Sequence, residues 1–148
     1  MASGVGRTPE ERYEHAMEYV KLVGLEDYAD LSPVELSTGM KQRLGLARVL
    51  ASQAEVLLMD EPFASLDFLT RAELQHQVLQ LQQKLPRTIL LVTHQLDEAL
   101  LLGQSITVMH PLGKTETFDL SHLSYPRDLE NGELKDLRRA VTEACRKD

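Results

Sequence analysis

Cysteine is almost absent from the 148-residue chain: the lone Cys145 has no partner for an intrachain disulfide, so a reducing compartment is expected. Long apolar runs are missing too. "VLLM" (56–59), "ILLV" (89–92) and "ALLL" (99–102) fall far short of the roughly 20 residues a helix needs to cross a bilayer. The opening "MASGVGRTPEER" has no apolar stretch of the kind that makes a secretory signal. These absences point to the cytoplasm, with any approach to a membrane made through a partner. Basic excess is lacking as well: 16 Lys and Arg face 23 Asp and Glu, a net charge of −7. That balance argues against a DNA or RNA backbone as partner, because such binding rests on cations neutralising phosphates. It does not exclude a single nucleotide, which needs only a local site. Internal repeats and low-complexity segments are also missing.

What is present is enough for one ordinary domain with a real core: 43% hydrophobic and 26% charged residues. Thr8-Pro9-Glu10-Glu11 reads as a helix start, with Thr8 as cap, Pro9 in the first turn and Glu11 completing a capping box. Tyr13, Ala16, Met17, Val20 and Val23 follow at helical spacing, and Gly24 closes the helix. Ser37 caps a second helix that runs to about Ser52. "EVLLMD" (55–60) and "TILLVT" (88–93) read as short strands, apolar on both faces as in a covered parallel sheet. Between them Asp67 opens a long helix with Leu74, Val78, Leu81 and Leu85 on one stripe, ended by Pro86. "QLDEALLLG" (95–103) is a short helix closed by Gly103. "SITVMH" and "KTETFDL" flank Pro111-Leu112-Gly113 and suggest a hairpin. Leu134, Leu137, Val141 and Ala144 mark a final helix. Strands alternating with helices predict an α/β fold with a mainly parallel sheet and flanking helices.

Chemistry concentrates at the ends of these elements. In "VLLMDEP" a strand delivers two adjacent carboxylates, Asp60 and Glu61, to the crevice where α/β proteins bind ligands. Neighbouring strand residues point to opposite sides, so the acids can divide their work. One suits a hydrated Mg²⁺ and the other can orient or deprotonate a water. Pro62 is expected to keep Glu61 extended. "VTH" brings His94 to the end of the second strand, where it can donate to a phosphate oxygen. "LSTGMKQR" (36–43) opens a basic helix with small and polar residues, a natural seat for an anion. Each motif alone has a plainer explanation: a polar strand exit, a His or an Asp67 capping the next helix.

Together, and in this order, they resemble the nucleotide-binding domain of ATP-binding cassette (ABC) transporters. "LSTGMKQRLGLARVLA" is similar to the family's signature helix, "VLLMDEP" to its Walker B strand, "ASLD" to its D-loop and "LLVTH" to its switch histidine. The "MKQR" and "DEPF" details are most like bacterial importers of the nitrate, sulfonate and taurine group. The resemblance implies a partial P-loop NTPase fold, with residues 1–120 as the C-terminal part of the ATPase domain and 121–148 as a helical tail. It implies ATP and Mg²⁺ as ligands. Ser37, Thr38, Gly39 and Met40 would meet the γ-phosphate, Asp60 would hold Mg²⁺ through water, and Glu61 would be the catalytic base. His94 would stabilise the transition state and Asp67 would communicate across a dimer. The implied partners are a second ATPase subunit or an N-terminal half, and a membrane permease that holds the chain peripherally at the inner membrane.

Two departures qualify that expectation. Thr38 stands where the family has the first Gly of a pair, and a Thr resists positive φ. More important, Gly-x4-Gly-Lys-Ser/Thr, the phosphate-binding loop, is not found. "GKT" (113–115) fails as a candidate because Val108 occupies the first Gly position and the segment reads as a hairpin turn. The isolated chain is therefore expected to be inactive and to bind ATP weakly or not at all. An incomplete sheet also leaves open edges, so a stable preparation is expected to be a homo-oligomer. The alternative is a non-catalytic, truncated binding or regulatory module. A DNA-repair or chromosome-structural ATPase head is disfavoured by the acidic charge, the lack of heptads and the importer-like details.

Overall fold

A computed structural model describes residues 8–52, 54–84 and 86–146. The chain divides into two compact units, with the boundary in the sequence after Leu90.

The first unit opens with helix α1 (Pro9–Leu22). The Thr8 hydroxyl accepts from Glu11 N–H at 3.2 Å and Glu11 Oε2 accepts from Thr8 N–H at 3.0 Å, the reciprocal box expected from sequence. Its stripe differs from expectation: Tyr13 is 63% exposed and Ala16 is exposed, while Tyr19 and Val23 are buried. Tyr19 is drawn in by His15, whose ring it meets edge-on at 5.1 Å. His15 Nε2 in turn donates to the Ala51 carbonyl at 3.0 Å, at the end of helix α2 (Thr38–Ala51). Helix α1 packs on α2. Arg43 of α2 closes the same joint, donating to the carbonyls of Val23 and Gly24 at 3.1 and 3.3 Å.

Strand β1 (Val56–Asp60) leads through a tight turn into helix α3 (Phe68–Lys84). Asp67 Oδ1 accepts from Thr70 N–H at 3.1 Å, so the predicted cap of α3 is present. Leu74 and Val78 are buried on the expected stripe; Leu85 lies outside the described residues. Strand β2 (Thr88–Val92) follows and forms a two-stranded parallel sheet with β1. The Thr88 N–H donates to the Glu55 carbonyl at 3.0 Å. Arg87 anchors the start of β2 by donating to the carbonyls of Leu50 and Ser52.

The sheet is not covered on both faces. Leu57 and Met59 are buried, but Leu58 is 68% exposed and Leu90 is 59% exposed. An unbroken apolar run carries no period-2 signal, so the sequence could not say that only one face would be covered.

The second unit contains helix α4 (Leu96–Leu102), the antiparallel hairpin of β3 (Ser105–Met109) and β4 (Thr115–Asp119), and helix α5 (Gly132–Ala144). Register runs from Ser105 opposite Asp119 to Met109 opposite Thr115. The turn uses left-handed backbone at Leu112 (φ 64°) and Gly113 (φ 75°). Leu100, Ile106, Leu120, Leu134 and Val141 form the core, so α5 is a packing helix. Asn131 caps it, accepting from Glu133 N–H at 3.0 Å.

Gly103 ends α4 under a tight constraint. A Cβ there would lie 2.8 Å from the Ala99 carbonyl oxygen and 3.2 Å from that of Ser105. We expect Gly103→Ala to cost about 1–3 kcal/mol, read as a lower urea midpoint.

Candidate functional site

The start of α2 and the exit of β1 meet in one corner of the first unit. Ser37 is the N-cap of α2: its hydroxyl accepts from Met40 N–H at 3.3 Å. Ser37 and Thr38 are exposed, and Gly39 and Met40 are half-buried. The other N–H groups of the first turn carry the positive end of the helix dipole. Thr38 sits in the helix itself. Positive φ among described non-glycine residues occurs only at Glu61 and Leu112, so the strain expected from a side chain at position 38 does not arise. Gly39 faces the turn that follows β1, where a Cβ would stand 3.7 Å from the Ser65 carbonyl oxygen.

Asp60 closes β1 and is exposed; Glu61 follows it, half-buried. Glu61 is not extended, as Pro62 led us to expect, but left-handed, with φ 46°. Two donors converge on its carbonyl and fix the peptide there: Gln42 Nε2 at 2.7 Å and the Ala64 N–H at 3.2 Å. The two acids therefore differ in backbone as well as in surroundings. Asp67 is exposed, and its carboxyl is held below the usual 3.8, first by the Thr70 side chain and then by the Thr70 N–H. Among the described residues no three acidic, His or Cys side chains gather as a metal cage. Asp60 offers a hard oxygen suited to a cation that keeps its remaining ligands from water and phosphate.

His94 belongs to the second unit, in the bend after β2, and is exposed. It is not the cap of α4; that position is Gln95, which makes no side-chain capping bond. The bend is shaped by Thr93, whose hydroxyl accepts from Gln95 N–H at 3.0 Å and donates to buried Glu98 at 2.8 Å. "GKT" lies in the hairpin turn between β3 and β4, away from any strand-to-helix junction.

Sequence reasoning missed Gln42. Its signal was there: Gly39, Gln42, Leu46 and Leu50 lie at helical spacing on the inward face of α2, and a polar residue on such a face has to find partners.

The chain is similar to known proteins. The ABC transporter family model matches residues 4–64. The glycine betaine/carnitine transport ATP-binding protein GbuA of Listeria monocytogenes is 51% identical over 104 residues, 70% of this chain and 26% of GbuA. The taurine import ATP-binding protein TauB of Rhizobium johnstonii is 46% identical over 101 residues, 68% of this chain and 38% of TauB. The similarity thus reaches betaine as well as taurine systems. The ATP-binding cassette MJ0796, solved as a dimer in a post-hydrolysis state with ADP and Pi, superposes with a TM-score of 0.71 at 29% identity. That match covers 80% of this chain and 50% of the MJ0796 chain. The chain spans between a quarter and a half of the length of these relatives.

Proposed function

The chain belongs to the ABC transporter family of ATP-binding proteins, and we propose that it supplies the signature helix and the hydrolytic carboxylate of a composite ATP site in an importer. One observation carries this reading: the open N-terminus of α2 and the carboxylate pair after β1 share a corner, tied through Gln42. Ser37, Thr38, Gly39 and Met40, with the amides opening α2, receive the γ-phosphate. Glu61 orients or deprotonates the water that attacks the γ-phosphorus, and the bond to the β–γ bridging oxygen breaks to leave ADP and phosphate. Asp60 would hold Mg²⁺, which would offset charge on the phosphates. His94 donates to the γ-phosphate as charge builds. Asp67 keeps its cap on α3 and communicates across the dimer.

The phosphate-binding loop comes from a partner ATPase subunit or an N-terminal half, and a permease holds the assembly at the cytoplasmic face of the inner membrane. The solvent-open face of β1, with Leu58, and exposed Phe68 and Leu69 beside Asp67 support a partner or a second copy there. Among the described residues no helix is long and apolar enough to cross a membrane.

The test is titration of ATP with Mg²⁺ by calorimetry. The isolated chain is expected to show weak or no binding, whereas an assembly with a loop-bearing partner binds and hydrolyses ATP. Tight binding by the chain alone would overturn the composite site. Binding without hydrolysis in the assembly would favour a non-catalytic module, a reading supported by the lack of Gly-x4-Gly-Lys-Ser/Thr in these 148 residues.

A further inference from the structure

We infer that Gln42 is a positioning residue that sets the backbone of Glu61 and locks it to the start of α2. The inference rests on the reading of Glu61 as the hydrolytic carboxylate.

Glu61 occupies a backbone region that non-glycine residues avoid. Such a conformation persists only where its surroundings over-determine it. Gln42 is a side chain that contributes to this. Its Nε2 donates to the Glu61 carbonyl at 2.7 Å, and its Oε1 accepts from the Ser65 N–H at 3.0 Å. The orientation of the amide is forced, because a carbonyl requires a donor and an N–H requires an acceptor. Both ends of one planar group therefore span the turn from Glu61 to Ser65. Gly39, one turn earlier on the same helix face, brings α2 against the Ser65 carbonyl and leaves Gln42 within reach. Few side chains can replace it. Glu keeps the acceptor and loses the donor, Lys keeps a donor and loses the acceptor, and Asn is one methylene too short. The consequence is mechanical: a shift of the α2 start, the proposed anion seat, is passed through one amide to the peptide that aims Glu61.

The two hydrogen bonds can be separated by mutation. In the isolated, ¹⁵N/¹³C-labelled chain, Gln42→Ala is expected to speed Ser65 amide exchange at least about tenfold and to move the Glu61 carbonyl resonance. Gln42→Glu keeps an acceptor for Ser65, so Ser65 protection is retained while the Glu61 resonance still moves; it also serves if Gln42→Ala folds poorly. In the assembled ATPase, both variants are expected to lower kcat about tenfold with KM for ATP unchanged. In a Glu61→Gln background they add nothing further. Unchanged Ser65 exchange in Gln42→Ala, or kcat losses that multiply with Glu61→Gln, would overturn the inference. Full activity of Glu61→Gln alone would refute the role of Glu61 in hydrolysis, and with it the positioning of a catalytic group, while the NMR readouts would still report whether the clamp exists.

Discussion

Glu61→Gln is expected to lower turnover of the proposed ATPase assembly by about 10²–10⁴-fold, the range set by loss of a positioned general base. Gln fills the same space and keeps the same backbone preferences, so fold and nucleotide affinity are expected to change little. That pattern, a fall in kcat with binding kept, is what separates loss of water activation from loss of the site. Asp60→Asn should behave differently, because Asp60 is assigned to the cation: ATP binding itself becomes weaker and less dependent on Mg²⁺. Single-turnover hydrolysis and nucleotide titration on both variants decide the matter. A Glu61→Gln assembly that hydrolyses ATP at more than about a tenth of the wild-type rate would exclude the general-base role.

Arg127→Met is expected to be the most damaging single change to the second unit. Arg127 is only 9% exposed. Its guanidinium donates to the carbonyls of Leu100 at 2.8 Å, Leu120 at 3.0 Å and Leu123 at 3.4 Å, and also to Gly103. Tyr125 adds a ring face 4.3 Å from the guanidinium carbon and a hydroxyl that donates to Leu102 at 2.7 Å. Leu100 and Leu102 lie in the last turn of α4 and Gly103 caps it; carbonyls at a helix end have no partners within the helix and carry the negative end of its dipole. A cation with several fixed donors answers both needs. Burial pulls the Arg127 pKa down and pushes the Tyr125 pKa up, yet arginine remains charged at any ordinary pH. Removing the guanidinium strands several buried acceptors, a loss on the order of 3 kcal/mol. Arg127→Lys should recover less than half, because an ammonium cannot spread over four carbonyls. The chain has no tryptophan, so urea unfolding is best followed by far-UV circular dichroism. An unchanged midpoint in Arg127→Met would show that the carbonyls find other donors.

Local signals carried much of the fold. Thr8, Ser37 and Asp67 cap the helices they were expected to cap, because a cap is settled within three residues. The hairpin around Pro111-Leu112-Gly113 was visible for the same reason. The strands were legible as strands but not as half-covered ones, since "VLLM" looks identical whichever face is buried. The choice of Tyr19 over Tyr13 for the interior depended on His15 and on Ala51 of another helix. At the candidate site, the residue types and their order were readable. The left-handed turn at Glu61 was not, because it is fixed by a side chain 19 residues away. Arg127 lay in a stretch without periodicity, and its acceptors lie up to 27 residues back. Side chains that satisfy distant backbone groups leave no local pattern.

The backbone at Glu61 has a consequence for directed evolution. With φ at 46° the position suits glycine or asparagine better than glutamate. Glu61→Gly should relieve about 1 kcal/mol of strain, while removing the carboxylate on which the proposed hydrolysis depends. A library sorted only for heat resistance or soluble yield would therefore enrich inactive sequences at this codon. Selection for stability and selection for turnover pull in opposite directions here, and the glutamate persists only while turnover is part of the screen.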